Sequence, residues 1–233
     1  FNGDVYLDEW KNFQFSFLGL NSFTEIHNAE SARISGIEAD VNWLAAQGLT
    51  VTGGVAYTHS TLSEDFCGFV VSGQNVTECP GPLDPFPPQA AKGTQLPITP
   101  RFKMNATTRY ERELGDGFVG HIQGAMTYQT ESFSDLRSTA PDPATLVTDP
   151  VTAQPISGDL ANVKFRAAPY ASFDFAFGVE KDNWTAEIAL QNAFDDRSQR
   201  AIYAECTTQI CGNEPYIVPS RPRTIALRFG ERF

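Results

Sequence analysis

The side chains best suited to chemistry are four cysteines and three histidines, and their spacing limits what they can do. Cys67 and Cys79 form one local pair, Cys206 and Cys211 another. Neither spacing is C-x-x-C, and only His27, His59 and His121 could complete a metal site, so zinc has little support. In an oxidising compartment such cysteines form disulfides, and of the three possible connectivities spacing favours the two local ones. Four free thiols are the alternative. His59, Ser60 and Asp65 supply the residue types of a hydrolytic triad, but nothing marks a nucleophile elbow or an oriented base. No phosphate-binding glycine loop occurs. The expectation is a protein with no covalent chemistry, no cofactor and no metal.

Carboxylates dominate the charge: 28 Asp and Glu against 17 Lys and Arg give a net charge of -11. That balance argues against nucleic acid as a partner, because phosphate binding needs basic surface to replace counterions. Glu30, Glu38, Asp40, Glu111, Asp174 and Glu187 fall on the polar sides of alternating segments or near their ends. They read as a solvated polar interior, with a cation site as the sharper alternative.

The elements that must position these groups are strands. The chain has 18 Phe and 7 Tyr, and helix-period segments are hard to find. No run of about 20 apolar residues occurs, so no transmembrane helix is expected. A negative mean hydropathy is compatible with a membrane barrel, where only alternate residues meet lipid.

Period-2 alternation predicts eight strands. The first, about 5–18, sets Phe13, Phe15 and Phe17 against Asn12, Gln14 and Ser16. The second, 33–44, sets Ile37, Val41 and Trp43 against Glu38, Asp40 and Asn42. The third and fourth cover 49–62 and about 102–111, and the fifth, about 118–133, sets Ile122 and Tyr128 against His121 and Gln123. In the sixth, 172–179, Phe173, Phe175 and Phe177 oppose Ser172 and Asp174. The seventh covers 184–192, and the eighth runs to Phe233 with Ile225, Leu227 and Phe229 opposite Thr224 and Arg228. Many reach ten residues or more, the length a tilted strand needs to cross an apolar band of about 25 Å.

Tight turns at 45–48, 114–117 and 181–183 alternate with long connections at about 19–32, 63–100, 134–168 and 196–221. Strict alternation of short and long is the signature of a transmembrane barrel. Counting back from Phe233 puts the C-terminus on the short-turn rim, periplasmic in such barrels, and both cysteine pairs in the long outer loops. A soluble β-sandwich also alternates, but requires neither strands this long nor a long connection at every second step. The chain opens Phe1, Asn2, Gly3, Asp4 without an initiator Met or signal peptide, so the start of an exported protein is expected upstream.

Four segments carry a family resemblance. The stretch from Asn28 and Ala29 to Gly36, Ile37 and Glu38 resembles a strand of TonB-dependent receptors that reads Asn-Ala, polar residues, then Gly-Val/Ile-Glu. Gln191, Asn192, Ala193, Phe194, Asp195 is similar to their Asn-Leu-Phe-Asp motif, with Ala193 in place of Leu. Tyr6, Trp10, Lys11 and Asn12 resemble a Tyr-x-x-x-Trp-Lys-Asp strand, and 222–233 resembles the closing strand, with Glu231 where an aromatic is common.

The resemblance implies an all-β protein: residues 1–233 are the C-terminal portion, about eight strands, of an antiparallel transmembrane barrel. The family's barrel has about 22 strands and an N-terminal plug, here absent. It implies structural roles for Asn28, Gly36, Glu38, Asn192, Phe194, Asp195 and Phe233 and leaves the ligand-binding residues unassigned. It also implies TonB-driven uptake of a scarce solute (siderophore, cobalamin, haem or glycan) across the outer membrane of a Gram-negative bacterium. Implied partners are outer-membrane lipid, TonB through the missing plug, the barrel-assembly machinery at the C-terminal strand, and a small-molecule ligand. The alternative is a self-contained eight-stranded barrel, an adhesin or narrow pore, in which 5–18 pairs with 225–233. Barrel enzymes of the outer membrane are the competing class without a motif here.

Overall fold

Long alternating segments can segregate their two sets of side chains only as extended chain. The computed structural model describes residues 1–18, 24–66, 69–71, 74–76, 88, 90–137, 165–203 and 214–232. In chain order the strands are β1 (Asn2–Leu18), β2 (Thr24–Ala46), β3 (Leu49–Leu62), β4 (Phe69–Val71), β5 (Gln74–Val76), β6 (Phe102–Gly115) and β7 (Phe118–Gln129). They continue as β8 (Ser132–Phe133), β9 (Arg166–Ala167), β10 (Tyr170–Lys181), β11 (Trp184–Gln191), β12 (Gln199–Tyr203), β13 (Tyr216–Pro219) and β14 (Thr224–Glu231). Eight of them form one antiparallel sheet in the order β1-β2-β3-β6-β7-β10-β11-β14. These are the eight expected strands.

Two-residue turns close β2–β3, β6–β7 and β10–β11 on one rim. Asp116 and Gly117 both take positive φ, as a type I′ hairpin turn demands, while Asp182 takes it at the first position of its turn and Gly48 at the second position of its own. On the other rim β4–β5, β8–β9 and β12–β13 are short antiparallel pairs within the three long connections.

Two boundaries differ most from the sequence reading. Residues 24–32, expected in a loop, continue β2, with Leu18 opposite Thr24 and Lys11 opposite Ser31. Backbone pairing to β1 and the burial of Ala29 and Ala32 against Phe13 and Phe15 hold this stretch, and its mostly polar sequence carries no regular alternation to read. The fifth strand ends at Gln129 instead of 133, and Ser132 and Phe133 pair with β9.

Register puts one apolar row across six strands: Leu49, Tyr110, Ile122, Phe177, Ile188 and Leu227. These side chains lie on a largely exposed face; Ile225, Leu227 and Phe229 are 66–77% exposed. The opposite face carries Asp4, Glu38, Lys103, Arg109, His121 and Glu187. On the long-connection rim, Ala29, Ala32, Leu62, Phe66, Ala90, Leu96 and Leu136 make a small core, with Phe13, Phe15 and Ile34 against it. Asn12, next to Phe13, takes φ 50.

The sheet is open. β1 and β14 are its two edges, and among the described residues they do not pair with each other, as a closed eight-stranded barrel would require.

Candidate functional site

The polar face is where bound solute or protein could be held, and small residues shape it. On β2, Gly36 sits between Tyr6 of β1 and Thr58 of β3 in register. The Tyr6 ring lies across it, and the Tyr6 hydroxyl reaches Thr58 Oγ1 at 3.0 Å. A Cβ on Gly36 would stand 2.4 Å from that hydroxyl and 2.5 Å from the Tyr57 carbonyl oxygen. The same device recurs across β10. His121 of β7 crosses Gly178, where a Cβ would meet the ring at 2.4 Å, and its Nε2 lies 3.1 Å from Glu187 Oε2 on β11. Arg228 of β14 donates to the other Glu187 oxygen at 2.6 Å. Beside it Arg109 donates to Glu111 at 2.7 Å and to Gln123 at 3.4 Å. Four strands are thus cross-linked by charged and polar side chains on one face.

Toward the β1 edge, a cavity of about 440 Å³ has Gly54 and Ala56 in its lining with Asp4, Glu38, Asp40 and Lys103. Asn2 Nδ2 donates to Asp40 Oδ2 at 3.0 Å. Its opposed charges suit a wetted polar wall. Among the described residues no group of three His, Cys, Asp or Glu could hold a metal ion.

The end of β11 is tied to the start of β14. Asn192, 5% exposed and at φ 46, accepts the Asp196 N–H at 2.8 Å. Its amide donates to the carbonyls of Asp196 (2.9 Å) and Arg221 (2.7 Å), and its own N–H reaches Asp174 Oδ1 at 2.7 Å. Asp195 Oδ1 accepts the Arg223 N–H at 3.0 Å. That bond first, then the Arg197 guanidinium, holds the Asp195 carboxyl below the usual aspartate range. Phe194 packs edge-on against Phe173 at 5.3 Å and Phe175 at 6.4 Å. These are roles of strand-end hydrogen bonding and apolar packing.

At the long-connection rim, Arg137, 2% exposed, makes a two-pronged bond to Asp135 at 2.9 and 2.6 Å. Ile98, a β-branched residue at φ 58 and 77% exposed, stands on a segment braced by its N–H to the Phe133 carbonyl. Positive φ is costly for such a side chain.

The residues singled out from sequence fall in different places. Glu38 lies in the polar cavity, and Asn28 is exposed on the extended part of β2 opposite Gln14. Gly36 and Asn192 are buried. His59 and Ser60 are neighbours in a strand and point to opposite faces, while Asp65 accepts the Lys92 N–H at 2.7 Å, so the three do not converge. Cys67, Cys79, Cys206, Cys211 and Phe233, and the side chains of His27 and Glu30, lie outside the described residues. Sequence reasoning missed the pairing of Tyr6 with Gly36 and of His121 with Gly178. A glycine on a polar strand face is the signal, but its partner is legible only once register is known.

The family described as TonB dependent receptor-like, beta-barrel, matches residues 1–193. No curated protein matches. Among solved structures, the siderophore receptor PiuA from Acinetobacter baumannii is similar at TM-score 0.62 and 16% identity, over 98% of this chain and 25% of that one. The ferric yersiniabactin uptake receptor FyuA from Yersinia pestis gives 0.63 and 14%, over 99% and 27%. The pyoverdine outer membrane receptor FpvA from Pseudomonas aeruginosa, bound to pyoverdine, gives 0.55 and 13%, over 98% and 26%. The chain spans about a quarter of the length of these structures.

Proposed function

The chain belongs to the β-barrel family of TonB-dependent receptors, and from that premise we propose that it forms part of the wall of an active-uptake receptor. The observation that carries the reading is the open eight-stranded sheet, apolar on one face and polar on the other, with β1 and β14 left as edges. A wall of this form is completed by further strands on both sides. The family consists of receptors and transporters, and the work of this segment is positioning and enclosure.

In this reading residues 1–233 are the C-terminal part of the barrel domain in the outer membrane of a Gram-negative bacterium. The apolar face meets lipid and the polar face meets a plug and the passing solute. The two-residue turns and the C-terminus are periplasmic. The long connections are extracellular, braced by local disulfides Cys67–Cys79 and Cys206–Cys211. The closing strand addresses the assembly machinery, and TonB acts through the plug. A ferric siderophore is the favoured solute class, supported by the receptors named above; cobalamin, haem and glycans are the other candidates.

The test is uptake. Iron-starved cells expressing the complete receptor are offered a panel of radiolabelled ferric siderophores with and without TonB. Accumulation of one of them that requires TonB is expected. Uptake that persists without TonB, or uptake of none of the panel, would overturn the reading of a TonB-driven siderophore receptor.

A further inference from the structure

The apolar face is uneven. Near the two-residue-turn rim, Arg112, Gly120, Val179, Ala186 and Phe229 form one cross-strand row. The residues with the least bulk, Gly120 and Ala186, leave a trench below the ridge of Ile122, Phe177 and Ile188. Its volume is about 690 Å³, within the range of about 300–1,000 Å³ of sites that hold small ligands. Leu114 closes one side, and a side chain at Gly120 would strike its Cδ1 at 2.7 Å. Arg112, exposed, stands on the trench wall, and no ion pair holds it among the described residues. Toward the rim, Lys181 Nζ lies 4.3 Å above the Phe118 ring. An apolar trench running up to two cations at the edge of a membrane band matches a molecule with an acyl chain and an anionic head.

We propose that the trench holds one glycerophospholipid of the inner leaflet, an acyl chain over Gly120 and Ala186 and the phosphate at Arg112. The inference rests on the proposed reading of this face as lipid-facing and this rim as periplasmic. Arg112 suits the role because a guanidinium can donate two parallel hydrogen bonds to a phosphate. A long basic side chain also reaches the headgroup level from within the apolar band. The rim cations favour an anionic headgroup.

The complete receptor, purified in mild detergent, is tested by native mass spectrometry with added phosphatidylglycerol or lipopolysaccharide. Wild type and Ile37→Ala, a change on the same face away from the trench, retain one phosphatidylglycerol. Arg112→Ala weakens retention about fivefold, the effect of one basic group near anionic lipid, and Ala186→Leu, which fills the trench, abolishes it. Absence of retained phosphatidylglycerol, retention unchanged in both variants, or lipopolysaccharide retained in its place overturns the site. A spin label at Ile188→Cys separates the two layers of the inference. A lipid-exposed label with no retained phospholipid removes the site and leaves the lipid-facing reading intact, whereas a water-exposed label removes both.

Discussion

Tyr6 lies across Gly36, its hydroxyl bonded to Thr58 on the next strand but one, so three strands are fastened through a position that has no side chain. An aromatic covering a strand glycine restores packing that the glycine forfeits. Gly36→Ala places a methyl group against both the Tyr6 hydroxyl and the Tyr57 carbonyl, and the second is backbone that cannot swing away. We expect a loss of about 1–3 kcal/mol in urea unfolding of the folded receptor. Tyr6→Phe, which removes only the Thr58 bond, should cost about 1 kcal/mol. An unchanged unfolding midpoint for Gly36→Ala would show that the close approach is not maintained in solution.

His121 and Glu187 should be energetically coupled, because His121 reaches Glu187 only by crossing Gly178. A double-mutant cycle with His121→Ala and Glu187→Ala is expected to give a coupling of about 0.5–3 kcal/mol, as for residues in one network. Gly178→Ala should abolish that coupling by displacing the ring. Additive single-mutant effects would argue that the contact contributes nothing.

Asn192→Ala deletes three side-chain hydrogen bonds at the β11 exit, worth about 1 kcal/mol each, and puts alanine at a positive φ. Asn192→Gly relieves the backbone but not the lost bonds, so its stability should fall between Asn192→Ala and the parent. The measurement is the unfolding midpoint of the three proteins, and equal values for glycine and alanine would remove the conformational part of the argument.

Asp195 lies beyond the end of β11, outside the spanning strands, and its carboxyl is held below the ordinary aspartate range. A depressed folded pKa means that the group stabilises the fold above the unfolded value near 3.9. That contribution is lost as pH falls through the lower folded value. Amide exchange at Arg223, which donates to Asp195, should therefore be protected near neutrality and quicken only at strongly acid pH, after correction for intrinsic exchange. In Asp195→Asn the acid-dependent step should vanish.

Strand number, the places of the tight turns and the two faces were legible because alternation over ten residues leaves one way to sort the side chains. The Asn192 and Asp195 hydrogen bonds were legible as a type, since both residues favour strand ends, but not in their partners. Arg221 and Arg223 come to them through the long connection between β11 and β14. The extension of β2 to Thr24 was illegible because its polar residues show no alternation, and the two alanines that bury there, Ala29 and Ala32, are too small to mark a face. The trench at Gly120 and Ala186 was hidden for a related reason. They fall into one row with Arg112 through the registers of three strand pairs, each fixed by turns and ladders.

The central claim is that this sheet is an open section of a larger barrel. Cysteine cross-linking in the complete receptor, with the native cysteines replaced by serine, tests it most directly. Ala186→Cys with Phe229→Cys, in register between β11 and β14, should cross-link and serves as the control. Pairs joining Val5, Leu7 or Glu9 of β1 to Ile225, Leu227 or Phe229 of β14 should give no product. A β1–β14 pair that cross-links as efficiently as the control would mean the eight strands close on themselves, and would contradict the account.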